Sequence, residues 1–285
     1  MYANINDTTL YFDVDGAQLT LENGQFKEKP VVFVLHGGPG GSHSNFKPHL
    51  DALTKEVQLV YIDQRGCGYS AEEDNATYTL TQNVADIEAL REYLGLESIW
   101  ILGHSYGGMV AMQYALQHGT SLNGLILATT SPSYQFIKKA KQFINEQGNE
   151  EQKYYANILW EGGFQSEQEL QAYYQAMSSL YSHKISDNQE QVRPSVKRSY
   201  QALNKGFGGF LKNFDVRDDL HTITCPTLII AGRYDWVTPV SESQEIHQRI
   251  PGSTFHILEN SSHSVFIDEN EKTISLIQAF IETHL

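Results

Sequence analysis

The sequence predicts an α/β fold, a mostly parallel doubly wound sheet with helices on both faces and a helical segment inserted in the middle of the chain. Three observations predict it. Six short runs dense in Val, Ile and Leu show little polar–apolar alternation, as in parallel strands buried on both faces. Helix-period segments lie between several of these runs, the order that winds a parallel sheet. Residues 133–215, by contrast, carry helical stretches and no strand run, so the sheet pattern resumes only after them.

Taken in order, "TTLYFDVDG" and "AQLTLENG" read as a hairpin ahead of the alternating units. Strand runs follow at "PVVFVLHG" (30–37), "VQLVYID" (57–63) and "SIWILGHS" (98–105). "TQNVADIEALREYLG" (81–95) sets Val84, Ile87, Leu90 and Leu94 at helical spacing and stops at Gly95. "GMVAMQYALQHG" reads as the next helix and "LNGLILAT" (122–129) as the next strand. "EQELQAYYQAMSSLY" is a helical stretch of the insertion, and "GFGGF" (206–210), which closes it, reads as a hinge. The strands "PTLIIAG" (226–232) and "STFHILEN" (253–260) and the helix "EKTISLIQAFIETHL" complete the chain. The expected organisation is a core at 1–132, a helical lid at 133–215 and the rest of the core at 216–285, with the lid over the C-terminal edge of the sheet, where open α/β sheets carry their sites.

Composition removes several function classes. With 40% hydrophobic and 19% charged residues in a chain of 285, the protein is neither disordered nor too small for a sizeable core. A net charge of −14 argues against nucleic acid as a partner, because phosphates demand a basic face. The charge is uneven: −9 over residues 1–132, +1 over 133–215 and −6 over 216–285, so the insertion is compositionally distinct. No apolar run approaches the roughly 18 residues of a membrane span. The start of the chain lacks the basic-then-apolar order of a signal peptide. Cys67 and Cys225 are too few for a stapled scaffold and have no metal-ligand spacing, so free thiols in the cytoplasm are expected. There is no HExxH and no Cys/His cluster, so neither a metal nor a cofactor is expected.

The chemistry lies in "ILGHSYGG". Gly103, Ser105 and Gly107 follow a strand run and open a helical one, the context in which a small-x-Ser-x-small pattern forms a tight turn with the serine exposed at its apex. The helix that follows aims free N–H groups and its positive end at that serine. A serine hydroxyl needs a base at neutral pH. Asp235 in "RYDWVTP" stands just past one strand and His263 in "SSHSVF" just past the next, so all three reach the same sheet edge in the order Ser, Asp, His. His263 would take the proton of Ser105, and Asp235 would fix the imidazole tautomer. "HGGPGG" (36–41) offers backbone N–H groups at Gly37 or Gly38 which, with that of Tyr106, would face a developing oxyanion. His36 is expected to shape that loop. His104 is expected on the far side of the turn, in packing.

Together "HGGPGG", "DQRGCGYS" (63–70), "GHSYGG" and "GRYDWVTP" with "SSH" resemble the α/β-hydrolase superfamily, and within it the proline iminopeptidase family of serine peptidases. The resemblance covers the two core segments. It implies the α/β-hydrolase fold, Ser105, Asp235 and His263 as catalytic triad, and Gly37 with Tyr106 as oxyanion donors. It also implies release of N-terminal proline or another small residue from a short peptide or small-molecule amide. Asp63 and Arg65 are expected to brace loops beneath the site. The sequence departs from the family where many members place a glutamate after the triad aspartate to hold the substrate amine: Trp236 stands there. Trp236 would give an apolar or cation–π surface, and Glu161 in "LWEGGF" is the expected amine anchor from the lid, ahead of Glu146, Glu150 and Glu151. The same departure keeps a carboxylesterase or lactonase acting on small neutral esters as the alternative.

Overall fold

The computed structural model describes residues 1–184 and 196–285; the stretch 185–195 of the expected lid lies outside the described residues. Among the described residues ten strands form: β1 (Tyr2–Ile5), β2 (Thr8–Asp15), β3 (Leu19–Glu22), β4 (Gln25–Glu28), β5 (Val31–Leu35), β6 (Gln58–Asp63), β7 (Ile99–His104), β8 (Leu122–Ala128), β9 (Thr227–Gly232) and β10 (Thr254–Leu258). Eight of them make one sheet in the order β1-β2-β6-β5-β7-β8-β9-β10. From β6 to β10 every pairing is parallel, while β1 and β2 add antiparallel. The interior strands β5 and β9 are buried along their whole length, which explains why their sequences show no alternation.

The expected hairpin of β2 with β3 does not form. β2 pairs β1 on one side and β6 on the other, and β3 pairs β4 in a separate two-stranded sheet. Turn chemistry decides this. Asn6-Asp7 (φ 46° and 57°) and Asn23-Gly24 (φ 51° and 79°) each put two consecutive residues in the left-handed region, the type I′ geometry of two-residue hairpins. The hairpins therefore close within Ile5–Thr8 and Glu22–Gln25 instead of across Gly16.

Helices α1 (Leu80–Tyr93) and α2 (Tyr106–His118) pack against each other, and α2 against β7 and β8. After β8 the chain leaves the sheet through α3 (Gln135–Gln147), α4 (Glu150–Glu161), α5 (Glu167–Tyr181) and α6 (Tyr200–Phe207). It is stitched on its return: Ser133 bridges Asp215, and Tyr134 N–H donates to Phe214 C=O at 2.6 Å. The side chains of Asn149, Ser166 and Ser199 cap α4, α5 and α6. Helices α7 (Val240–Arg249), α8 (Val265–Asp268) and α9 (Asn270–Thr283) finish the core. One continuous apolar cluster joins the sheet residues Phe33 and Leu127 to Trp160, Tyr173 and Phe207 of the helical insertion, so the insertion is packed on the sheet and not merely tethered to it. The "GFGGF" glycines serve close approach: a Cβ on Gly206 would stand 2.5 Å from Pro39 Cγ, and one on Gly208 would stand 3.0 Å from the Glu161 carbonyl oxygen.

The loop after β6 is held by buried ions. Asp63 Oδ1 accepts from His43 N–H at 2.7 Å and Oδ2 from Tyr69 N–H at 2.8 Å. Arg65 grips Asp86 of α1 through two bonds of 2.9 and 2.8 Å and donates a third to Asn6 C=O at 2.7 Å. Removing one partner of a buried pair leaves the other charge without compensation. Asp86→Ala is expected to destabilise the fold by about 3–5 kcal/mol, read as a fall in the urea midpoint at unchanged slope.

Candidate active site

The site forms where the winding of the sheet reverses. From β5 the chain goes to β6 on one side and then returns to β7 on the other, so the C-terminal ends of β5 and β7 lie side by side, with Leu35 paired to Gly103. Gly37 follows the first and Ser105 the second. Ser105 adopts φ 55° and ψ −121°, a left-handed backbone in which a side chain is strained. The turn is crowded enough to demand its glycines. A Cβ on Gly107 would come within 2.8 Å of the His36 carbonyl oxygen, and one on Gly37 within 2.9 Å of Ser105 Cβ. The glycine loop thus lies directly against the serine.

Asp235 stands three residues past β9 and His263 five past β10, on neighbouring parallel strands. His263 Nδ1 meets Asp235 Oδ2 at 2.8 Å. The carboxylate also accepts from Val237 N–H (2.9 Å), Thr238 N–H (3.0 Å) and Thr238 Oγ1–H (2.8 Å), so its lone pairs are aimed and its charge is satisfied. An ionised carboxylate only accepts, so Nδ1 carries the proton and Nε2 keeps a lone pair. Ser105 and His263 line the same cavity, of about 920 Å³, between the sheet edge and the insertion.

Two further histidines shape this arrangement, both held neutral. His36 is fully buried; its Nδ1–H donates to Gly37 C=O at 2.8 Å while Nε2 accepts from Gln64 N–H at 3.1 Å. Burial lowers its pKa. In a trans peptide the N–H points opposite to the C=O, so holding the Gly37 carbonyl turns the Gly38 N–H away from His36. His104 does pack against Phe46 and Phe266, but it also reaches the cavity, and its Nε2–H donates to the main-chain carbonyl of His263 at 3.0 Å. Thr129 Oγ1–H donates to that carbonyl as well, at 3.1 Å. Enclosure pushes the His104 pKa down to about 3, and the adjacent His263 ring adds to the shift.

Tyr106 begins α2, so its N–H has no acceptor within the helix. Its side chain is buried, with the hydroxyl accepting from Asn83 Nδ2–H at 2.8 Å. Trp236 and Glu161 fall outside the cavity lining. Trp236 is 1% exposed and wedged among Phe143, Trp160 and Tyr181, because the apolar wall takes the ring that a loop position would leave in water. Glu161 ends α4 where Gly162 turns left-handed, and its side chain is exposed, as are those of Glu146, Glu150 and Glu151. The carboxylate that does line the cavity among the described residues is Glu167, in the first turn of α5. Sequence reasoning missed it because an acidic residue next to a helix cap is what the helix dipole alone would place there. No group of His, Cys, Asp and Glu suited to a metal occurs among the described residues, and no helix there is long and apolar enough to cross a membrane.

Fold, turn and loop pattern together define a class, and comparison with known proteins agrees. The chain belongs to the α/β-hydrolase fold family, which matches residues 30–270, and it is a hydrolase. Within that family it is similar to proline iminopeptidases: it is 34% identical to that of Saccharolobus solfataricus over 88% of this chain and 84% of the relative. Identity to a proline iminopeptidase of Pestalotiopsis fici is 30%, over 95% and 99% of the two chains. The fold superposes with TM-score 0.79 on an α/β-fold hydrolase of Bacillus anthracis at 23% identity, covering 100% and 98% of the chains.

With its pKa near 3, His104 is uncharged across the range in which an ordinary imidazole titrates. Between pH 6.5 and 3 the unfolded chain binds a proton there that the native state refuses, so this residue lowers stability as the pH falls through that window. Nitrogen-15 NMR is expected to show the His104 Nε2–H tautomer unchanged from pH 8 to pH 5. A titration near 6.5 would contradict the lowered pKa that enclosure gives this ring.

Proposed function

We propose that the protein is a serine hydrolase that releases N-terminal proline or another small residue from short peptides or amides through an acyl-enzyme. The observation that carries the mechanism is the 2.8 Å contact of His263 Nδ1 with a fully satisfied Asp235, beside a strained Ser105 on the same cavity. Similarity to proline iminopeptidases supports the choice of substrate. In this reading Ser105 Oγ attacks the carbonyl carbon while His263 Nε2 takes its proton, and Asp235 stabilises the resulting imidazolium. The oxyanion meets the N–H of Tyr106 and that of Gly37 or Gly38. Collapse breaks the C–N bond as His263 returns the proton to the leaving amine. Water, deprotonated by His263, then cleaves the acyl-enzyme and regenerates Ser105. The insertion at 133–215 acts as a lid that limits substrate size.

A second reading, a carboxylesterase or lactonase, has one observation in its favour. Glu167 is exposed, so among the described residues the cavity offers no buried carboxylate to a free amine, and the wall around Tyr173, Tyr181, Leu159 and Phe207 suits a neutral acyl group equally well.

Two experiments test these readings. A fluorophosphonate probe is expected to label Ser105, and Ser105→Ala is expected to lose labelling and at least about 10³-fold in kcat at an unchanged melting temperature. Turnover near the wild-type rate in that variant would remove Ser105 from the mechanism. A panel of proline and alanine arylamides, nitrophenyl esters and lactones is expected to give its highest kcat/KM with the proline arylamide. A preference of tenfold or more for an ester or lactone would establish the second reading instead.

A further inference from the structure

Six arginines are described, and five of them lie within 4.0 Å of a carboxylate: Arg65, Arg91, Arg217, Arg233 and Arg249. Arg198 is the exception. Its guanidinium lies 4.2 Å from the centre of the Tyr174 ring, and among the described residues no carboxylate pairs with it. In a chain with 34 acidic residues and 20 basic ones, an unneutralised arginine is unusual, and this one lines the cavity that holds Ser105 and His263. Its place is fixed from both sides. Tyr174 belongs to α5 and also lines the cavity. On the other side Ser199, the next residue, donates its N–H to Gly40 C=O of the glycine loop at 2.9 Å and caps α6 with its hydroxyl. The guanidinium is therefore presented by a segment bonded to the same loop that lies against the nucleophile.

The other charges on the cavity sharpen this. Lys47 is neutralised by Asp13 at 2.6 Å and Asp15 at 2.9 Å. Lys197 is exposed and adds a second cation beside Arg198, while Glu167 is the cavity's one carboxylate among the described residues. The acidic body as a whole repels anions, so a local pair of cations is the feature that would retain one. A guanidinium has five N–H donors, so beyond the one that Tyr174 draws on, others can meet the two oxygens of a carboxylate.

We propose that Arg198 receives a carboxylate carried on the leaving side of the substrate, so that the preferred substrates are very short peptides with a free C-terminus or an acidic residue after the scissile bond. The inference rests on the peptidase reading above. Such a substrate enters with its ammonium end toward Ser105 and its anionic end at the lid. Arylamides, which lack that group, use only half of the recognition the cavity offers.

The test is isothermal titration on the Ser105→Ala protein, which holds substrates without cleaving them. The ligands are two matched pairs, Pro-Gly against Pro-Gly amide and Pro-Asp amide against Pro-Asn amide. The acid of at least one pair is expected to bind about 10- to 100-fold tighter than its neutral partner, the range of a charge-assisted contact. Which pair shows the gap identifies the C-terminus or the side chain as its source. Added Arg198→Gln is expected to shrink that gap to about twofold or less, Arg198→Lys to retain part of it, and added salt to narrow it. Equal affinities within both pairs, or a gap that survives Arg198→Gln, would overturn the inference alone. If no peptide binds while the wild-type enzyme hydrolyses nitrophenyl esters, the peptidase reading falls and the inference with it.

Discussion

The structure depends on the approach of two main chains. Where β5 and β7 end side by side, the glycine loop must come close enough to Ser105 that no side chain fits between them, and Ser105 must hold a left-handed backbone to face the cavity. Neither condition is comfortable by itself. The strained residue is kept by its surroundings: its N–H donates to Ala128 C=O at 3.0 Å, and its C=O accepts from Thr130 Oγ1–H at 2.7 Å. Those two bonds tie the turn to β8 and to the chain just beyond it, so the geometry of the serine is set by the register of the sheet. On the proposed mechanism a site built this way is preorganised, because the groups that would meet a developing charge are in place before any substrate arrives.

The electrostatics follow from the same crowding. Three histidines surround the turn, and the sequence gives them different expected roles, His263 as base, His36 in shaping the glycine loop and His104 in packing. Enclosure separates them physically. His36 and His104 are too buried to carry charge easily, and each uses an N–H to hold a backbone carbonyl, one on the glycine loop and one on the loop of His263. His263 alone has a carboxylate partner at its Nδ1, with the carboxylate itself held by three further donors. A neutral His104 also avoids setting a second positive charge against the His263 ring, whose centre lies 5.0 Å from its own. On the proposed mechanism, one imidazole transfers the proton and the other two position its surroundings.

What the sequence made legible was whatever a strand end or a helix start forces. The buried parallel strands were readable from unbroken Val/Ile/Leu runs, and the convergence of Ser105, Asp235 and His263 on one edge from chain order. The N-terminal pairing was misread although its signals were present: Asn6-Asp7 and Asn23-Gly24 are two-residue turns, and they outweigh the apparent symmetry of the two runs around Gly16. Contacts of the helical insertion were much less legible. Glu161 and Glu167 lie on successive helices with similar surroundings in sequence, yet α4 ends at a left-handed Gly162 that leaves Glu161 outside, while α5 starts at the cavity wall. Arg198 lies in "VKRSY", which has neither period nor motif, so its stacking on Tyr174 is a purely tertiary fact.

The contact of the insertion with the glycine loop links recognition to chemistry. Gly206 of α6 lies against Pro39, and Ser199 bonds Gly40, so the helix that follows Arg198 rests on the loop that supplies Gly37 and Gly38. A displacement of α6 would therefore carry Arg198 and disturb the wall facing Ser105 in the same motion. The glycines of "GFGGF" make that coupling tight, since removing their side chains lets α6 approach Pro39 and lets Gly208 approach the end of α4. Closely packed elements respond to a push by shifting as a unit. A ligand anchored at Arg198 would hold α6 down on the glycine loop and so, on the proposed mechanism, stiffen the donors that face the oxyanion.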